Sequence, residues 1–215
     1  MNLIIQKLLE CDKYLSENIA KIGSNGISKK LKIEKICLVL EWIMHGIPWI
    51  FGIFIFIFLA HYNNWTDSEI HFLNLLAIAL FFDLALVGLL KILFRRDRPK
   101  YNKGKIVLGA PIIDDFSFPS GHTSRTTMLF IIFVCIKPTE VFEYNKYLNY
   151  LFISFPSILL FSRVLSGRHF LSDVIAGFLL GCLEAFIIYL LQEKLQNNIK
   201  LDLLLINCFD LFLNY

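Results

Sequence analysis

Three short stretches of this chain carry the residue types that phosphoryl transfer uses. They are Lys91-Ile-Leu-Phe-Arg-Arg-Asp-Arg98-Pro99, then Pro119-Ser120-Gly121-His122, then Ser162-Arg163 followed by His169 and Asp173. His169 and Asp173 stand four apart and would share a helix face. A carboxylate bonded to one imidazole nitrogen fixes the tautomer and leaves the other nitrogen free to attack phosphorus. Pro119 precedes a helix start, where the N–H groups of Ser120 and Gly121 would face an anion with the positive end of the helix dipole behind them. Gly121 lets the backbone approach closely, and His122 is placed to protonate a leaving oxygen. Lys91, Arg98 and Arg163 supply fixed cations for the charge that builds on non-bridging oxygens, and the arginines add bidentate geometry.

Each stretch also has a plainer reading. His169 and Asp173 could simply cap a helix, and Pro119 to His122 could be a cap with a chance histidine. Lys91, at the end of an apolar run, could snorkel to the membrane surface. Arg95 and Arg96 suit anionic headgroups and are left outside the catalytic set. The plainer readings are independent of one another, so the combination favours a site.

The elements that must position these groups are membrane helices. Hydrophobic residues make up 56% of the 215, Phe alone contributes 21, and mean hydropathy is positive. Apolar runs near bilayer-spanning length recur. The spans predicted are Cys37 to Ala60, Phe72 to Phe94, Ser120 to Ile136, Tyr147 to Phe161 and Leu171 to Leu191. The fold class is therefore an all-α integral membrane bundle of about five spans. Residues 1–34 precede it as an amphipathic helix and basic linker, the linker covering 21–35. Residues 35–192 form the transmembrane domain, and 193–215 form a tail. The tail, interrupted by Asp202, Asn207 and Asp210, reads as interfacial.

Ile4, Leu8, Cys11, Leu15, Ile19 and Ile22 fall at helical spacing with charged residues between them. This helix either lies on the membrane surface or packs on the bundle. The N-terminal stretch lacks the continuous apolar segment of a secretory signal. Five scattered cysteines, without CxxC or a Cys/His cluster, argue against a disulfide framework or a zinc site. The net charge of +3 gives no case for nucleic acid.

Orientation follows from basic residues. Lys7, Lys13, Lys21, Lys29, Lys30, Lys32 and Lys35 crowd the N-terminal region. The first hairpin holds Asp67 and Glu69 and no Lys or Arg. The loop after span two holds Arg95, Arg96, Arg98, Lys100, Lys103 and Lys105. The N-terminus and this loop are thus assigned to the cytosol, and counting spans brings the Arg163–Asp173 turn to the same side. All three stretches then meet at one membrane surface.

Six residues separate Lys91 from Arg98, Pro119-Ser120-Gly121-His122 follows, and five residues separate Arg163 from His169 with three more to Asp173. This pattern resembles all three signatures of the type 2 phosphatidic acid phosphatase (PAP2) superfamily, which also includes vanadium haloperoxidases. His45-Gly46-Ile47-Pro48-Trp49, the Asn74–Asp83 stretch and Ser117-Phe118 further resemble polyisoprenoid (presqualene) diphosphate phosphatases. The resemblance implies His169 as nucleophile, Asp173 as the group that orients it, and His122 as general acid. It implies Lys91, Arg98, Ser120, Gly121 and Arg163 as phosphate ligands, with no metal and no cofactor. A six-span family pattern would here have its first span replaced by the amphipathic helix.

The activity implied is metal-independent hydrolysis of presqualene or farnesyl diphosphate at the cytosolic face, in the endoplasmic reticulum or nuclear envelope. The alternatives are a phosphatidate or sphingoid-base phosphatase and a catalytically silent lipid-binding membrane protein. A haloperoxidase is disfavoured because those are soluble. The partners are the lipid substrate and the bilayer, and a homo-oligomer is compatible with the sequence. Asp83 and Glu184 inside spans admit a packing or a supporting role. Glu41 and His45 read as interface residues, and Gly177 with Gly181 as a close helix contact.

Overall fold

The computed structural model describes residues 3–101, 115–135 and 146–196. The described residues form helices α1 (Leu3–Ser24), α2 (Gly26–Lys30), α3 (Ile33–Ile43), α4 (Gly46–Tyr62), α5 (Asp67–Phe94), α6 (Gly121–Cys135), α7 (Lys146–Leu165) and α8 (Leu171–Gln196). The expected interfacial tail from Leu201 and the loop lysines Lys103 and Lys105 lie outside the described residues.

α5 and α8 are each long and apolar enough to cross a membrane, and α3 and α4 reach that length and apolarity only when taken together, with a bend of 43° between them. α6 and α7 occupy the places of the expected third and fourth spans, the described apolar part of α7 being Ser154–Leu165. The first expected span is therefore broken. Met44 and His45 interrupt it, and a break inside an apolar unit must satisfy the carbonyls it frees. Trp49 Nε1 donates to the Ile43 carbonyl at 2.8 Å, and Arg125 Nη1 donates to the Met44 carbonyl at 3.1 Å. His45 Nδ1 accepts from the Ile47 N–H at 3.4 Å and opens α4.

The stretch expected as a linker, 21–35, is instead largely helical. α1 continues to Ser24, Asn25 Oδ1 accepts from the Ser28 N–H at 2.8 Å to start α2, and α3 begins at Ile33. α5 starts earlier than its apolar run because Thr66 and Glu69 form a capping box; the Thr66 N–H donates to Glu69 Oε2 at 2.8 Å. Both readings of α1 find support. Ser16 is fully buried against the bundle, while Ile4, Leu8, Leu15 and Ile22 remain exposed as an apolar face.

The core joins four helices. Ile53, Ile57 and Ala60 of α4, Leu75, Leu76, Ala79 and Leu80 of α5, Met128, Leu129 and Ile132 of α6, and Ala185 and Ile188 of α8 pack together. Phe51, Phe81, Leu93, Phe178, Leu179 and Phe186 point outward, as lipid-facing side chains do. α6 and α8 make the most extensive contact. Glycine sets their separation: a Cβ at Gly181 would stand 2.3 Å from the Ser124 carbonyl and 2.8 Å from Thr127 Cβ, and one at Gly177 would stand 2.5 Å from the Ser120 carbonyl.

Gly181→Val should lower the thermal unfolding temperature in detergent by the equivalent of about 1–3 kcal/mol, the cost of overpacking a tight contact. Gly52→Ala, where a Cβ meets nothing within 4 Å, should leave it unchanged or raise it.

Candidate active site

The C-terminal ends of α5 and α7 and the N-terminal ends of α6 and α8 lie together at one end of the bundle, and they carry the three stretches. Lys91 is the last-turn residue of α5 and is buried, which removes the snorkelling reading. Arg163, in the last turn of α7, is 1% exposed. His169 lies in the turn between α7 and α8, also 1% exposed, and Asp173 sits in the first turn of α8. Arg98 Nη1 donates to the Arg168 carbonyl at 3.2 Å, drawing the loop after α5 onto that turn.

The His169 ring is held by backbone. Its Nδ1 lies 2.8 Å from the Ser117 carbonyl oxygen. A carbonyl only accepts, so Nδ1 carries the hydrogen and Nε2 is the nitrogen with a free lone pair in the neutral ring. Ser117 is itself fixed. Its N–H donates to the Arg96 carbonyl at 2.8 Å and its hydroxyl to the Asp97 carbonyl at 3.0 Å, beside the isolated Asp97–Phe116 bridge.

This corrects the direct partnership expected of Asp173. Its Oδ2 is 3.8 Å from His169 Nδ1, too far for a hydrogen bond. That oxygen accepts from the Phe170 N–H at 2.9 Å, and Oδ1 accepts from Arg96 Nη1 at 2.6 Å. A carboxylate at the start of a helix is drawn to the unbonded N–H groups there, and the adjacent guanidinium takes its second oxygen.

Ser120 also differs from expectation. Its N–H donates to the Asp173 carbonyl at 3.0 Å, so it joins α6 to α8 instead of facing an anion. Its hydroxyl pairs with the Thr123 hydroxyl at 3.0 Å. Gly121 packs on Val87, where a Cβ would come within 3.0 Å. His122 follows; its Nε2 is buried with no hydrogen-bond partner among the described residues, and its ring stands 5.8 Å from that of His45.

Burial pushes the His169 imidazole well below the usual histidine range, and the nearby Arg98, Arg163 and Lys91 cations push the same way. The ring is thus neutral at pH 7. A buried, neutral imidazole with one nitrogen committed to a carbonyl and cations around it can act as a nucleophile toward an anionic electrophile drawn in by those cations.

Glu41, Arg96, Ser124 and Arg125 contribute in ways the sequence did not indicate. Glu41 of α3 forms an ion pair with Arg163 at 3.0 Å and lies 3.6 Å from Arg168. Arg96 binds Asp12 of α1 and Asp173, and its guanidinium carbon lies 4.2 Å from the centre of the Phe170 ring. Arg125 Nη2 donates to Asp83 Oδ2 at 2.7 Å, and the Ser124 hydroxyl donates to Glu184 Oε2 at 2.8 Å. Asp83 and Glu184 therefore form supports beneath α6. A charge inside an apolar span was the available signal for Glu41, Asp83 and Glu184.

Residues 71–197, more than half of the chain, match the family profile described as the PAP2 superfamily. A probable lipid phosphate phosphatase beta of Arabidopsis thaliana is 31% identical over 134 residues, 50% of this chain and 60% of that one. Phosphatidylglycerophosphatase B of Bacillus subtilis (strain 168) is 33% identical over 92 residues, 40% of this chain and 45% of that one. The chain thus spans less than two thirds of the length of these relatives. Among solved structures, the fold is similar to a transmembrane PAP2 type phosphatidylglycerolphosphate phosphatase from Bacillus subtilis, with a TM-score of 0.62, 22% identity and 87% of each chain covered. It is also similar to LpxE of Aquifex aeolicus, with a TM-score of 0.55, 20% identity, and 82% of this chain and 93% of that one covered.

The cations around His169 predict a charge-dependent titration. Arg98→Gln should raise the His169 pKa, and Arg98→Lys should not. Histidine NMR titration of the protein in detergent reads both.

Proposed function

The chain belongs to the PAP2 superfamily, and from that premise we propose that it is a lipid phosphate phosphohydrolase acting through a phosphohistidine. The observation that carries this reading is the buried His169, whose Nδ1–H is engaged by the Ser117 carbonyl and whose Nε2 is left for attack.

In the first step Nε2 attacks phosphorus. The N–P bond forms as the P–O bond to the leaving group breaks, and His122 gives a proton to the departing oxygen. In the second step water attacks the phosphohistidine and loses its proton to His122; inorganic phosphate leaves and both rings return to their starting state. Lys91, Arg98 and Arg163 hold the non-bridging oxygens, and Gly121 with the positive end of α6 completes the cradle. Ser120 and Asp173 act at one remove, by locking the start of α6 to α8 and by capping the turn that carries His169.

The preferred substrates are polyisoprenoid diphosphates of the presqualene or farnesyl type, met at the cytosolic face of the endoplasmic reticulum or nuclear envelope. What supports the isoprenoid reading is where the resembling His45-Gly46-Ile47-Pro48-Trp49 stretch falls. It begins at the break of the first apolar unit and opens α4, with the His45 ring 5.8 Å from that of His122 and a Cβ at Gly46 3.3 Å from the Arg125 guanidinium. The names of the Bacillus subtilis relatives favour a glycerophospholipid monoester instead.

Purified protein in detergent with EDTA should release phosphate from farnesyl diphosphate faster than from phosphatidate or phosphatidylglycerophosphate. His169→Ala should lower kcat by at least about a thousandfold, as loss of a covalent nucleophile does. Activity abolished by EDTA would contradict the metal-independent mechanism, and full activity in His169→Ala would contradict the nucleophile. A faster glycerolipid reaction would transfer the substrate assignment to that class.

A further inference from the structure

A helix begins with N–H groups that have no backbone carbonyl of the helix to bond. α8 begins after Phe170, which has no side-chain acceptor, and α1 supplies what is missing. The Leu171 N–H donates to Ser16 Oγ at 2.8 Å, and the Ser172 N–H donates to Asp12 Oδ1 at 2.9 Å. The Ser172 hydroxyl donates to Asp12 Oδ2 at 2.6 Å. The Ser16 hydroxyl donates to the Asp12 carbonyl at 2.7 Å, which turns its lone pair toward Leu171.

The same Asp12 carboxylate accepts from Arg96 Nη2 at 2.7 Å, while Arg96 Nη1 reaches Asp173 and Ser172 at 2.6 Å. The Arg96 carbonyl holds the Ser117 N–H, and the Ser117 carbonyl holds His169. Asp12 therefore stands at the head of two short chains of contacts, one ending on the histidine and the other on Phe170, the residue after it. One runs through Arg96 and Ser117. The other runs through the first turn of α8, whose Asp173 caps Phe170 beside His169.

We propose that Asp12, seconded by Ser16, is a positioning residue that fixes the orientation of His169 by holding Arg96 and the first turn of α8 together. The proposal rests on the phosphohydrolase reading. It gives the N-terminal helix a part in the reaction: α1 braces the nucleophile from 157 positions away in the chain, without contributing an atom to the phosphate cradle.

Asp12 bonds Arg96 and the first turn of α8, which support His169 and are not among the proposed phosphate ligands, so binding and turnover should separate. With farnesyl diphosphate in detergent, Asp12→Ala should lower kcat by about tenfold or more, as small misplacements of a reacting group do, and change KM by less than about threefold. Asp12→Asn keeps an acceptor for Ser172 and loses the charge for Arg96, and should fall between. Ser16→Ala should lower kcat less, and Ser16→Thr should restore it.

Histidine NMR gives a readout without turnover. Asp12→Asn should shift or broaden the His169 resonance and leave that of His61, at the far end of α4, where it is. A wild-type kcat in Asp12→Ala overturns the proposal, as does a loss confined to the amount of folded protein. An unmoved His169 resonance in Asp12→Asn overturns it whatever the activity. A wild type that releases no phosphate overturns the phosphohydrolase reading, and the NMR comparison then still decides the positioning claim.

Discussion

A guanidinium taken away from water among apolar helices must meet a carboxylate or carbonyl, because an unpaired buried charge costs several kcal/mol. That constraint organises this protein. Arg163 of α7 meets Glu41 of α3, Arg125 of α6 meets Asp83 of α5 and the Met44 carbonyl, and Arg96 meets Asp12 of α1 and Asp173 of α8. Each arginine thereby fastens elements far apart in the chain. The apolar core brings α4, α5, α6 and α8 together without direction. The ion pairs, with the glycine-set contact of α6 on α8, fix which ends lie together and at what height.

The positive charge this assembles also tunes the chemistry. With burial and the nearby Arg98, Arg163 and Lys91 cations disfavouring its charged form, and Nδ1 engaged by the Ser117 carbonyl, the His169 imidazole stays neutral. On the proposed mechanism the groups that draw the lipid phosphate in are the ones that keep the nucleophile unprotonated. The carboxylates stand behind the arginines and behind the first turn of α8, where they do not compete for the histidine proton.

The residues that the proposed mechanism uses were legible in the sequence because their spacing places them at helix ends. Lys91 ends α5, Gly121 and His122 open α6, and Arg163 ends α7. Hydropathy gave the helices that carry them and located most ends within a few residues. It could not give the break at Met44–His45, because an interrupted apolar run keeps the same composition as a continuous one. Nor could it give the partners. Asp12, Ser16 and Arg96 look like exposed polar residues at the membrane surface, and a contact spanning most of the chain leaves no mark in local periodicity. The direct Asp173 to His169 bond was inferred from i,i+4 spacing, but the Phe170 N–H just before α8 and the Arg96 guanidinium claim that carboxylate first.

The central claim is that His169 becomes covalently phosphorylated. Quenching the protein with alkali during turnover of a lipid phosphate labelled at phosphorus preserves a phosphohistidine, and peptide mapping finds it. The account predicts alkali-stable, acid-labile label on the peptide that carries His169 and none in His169→Ala. Turnover without label, or label on any other residue, would contradict it.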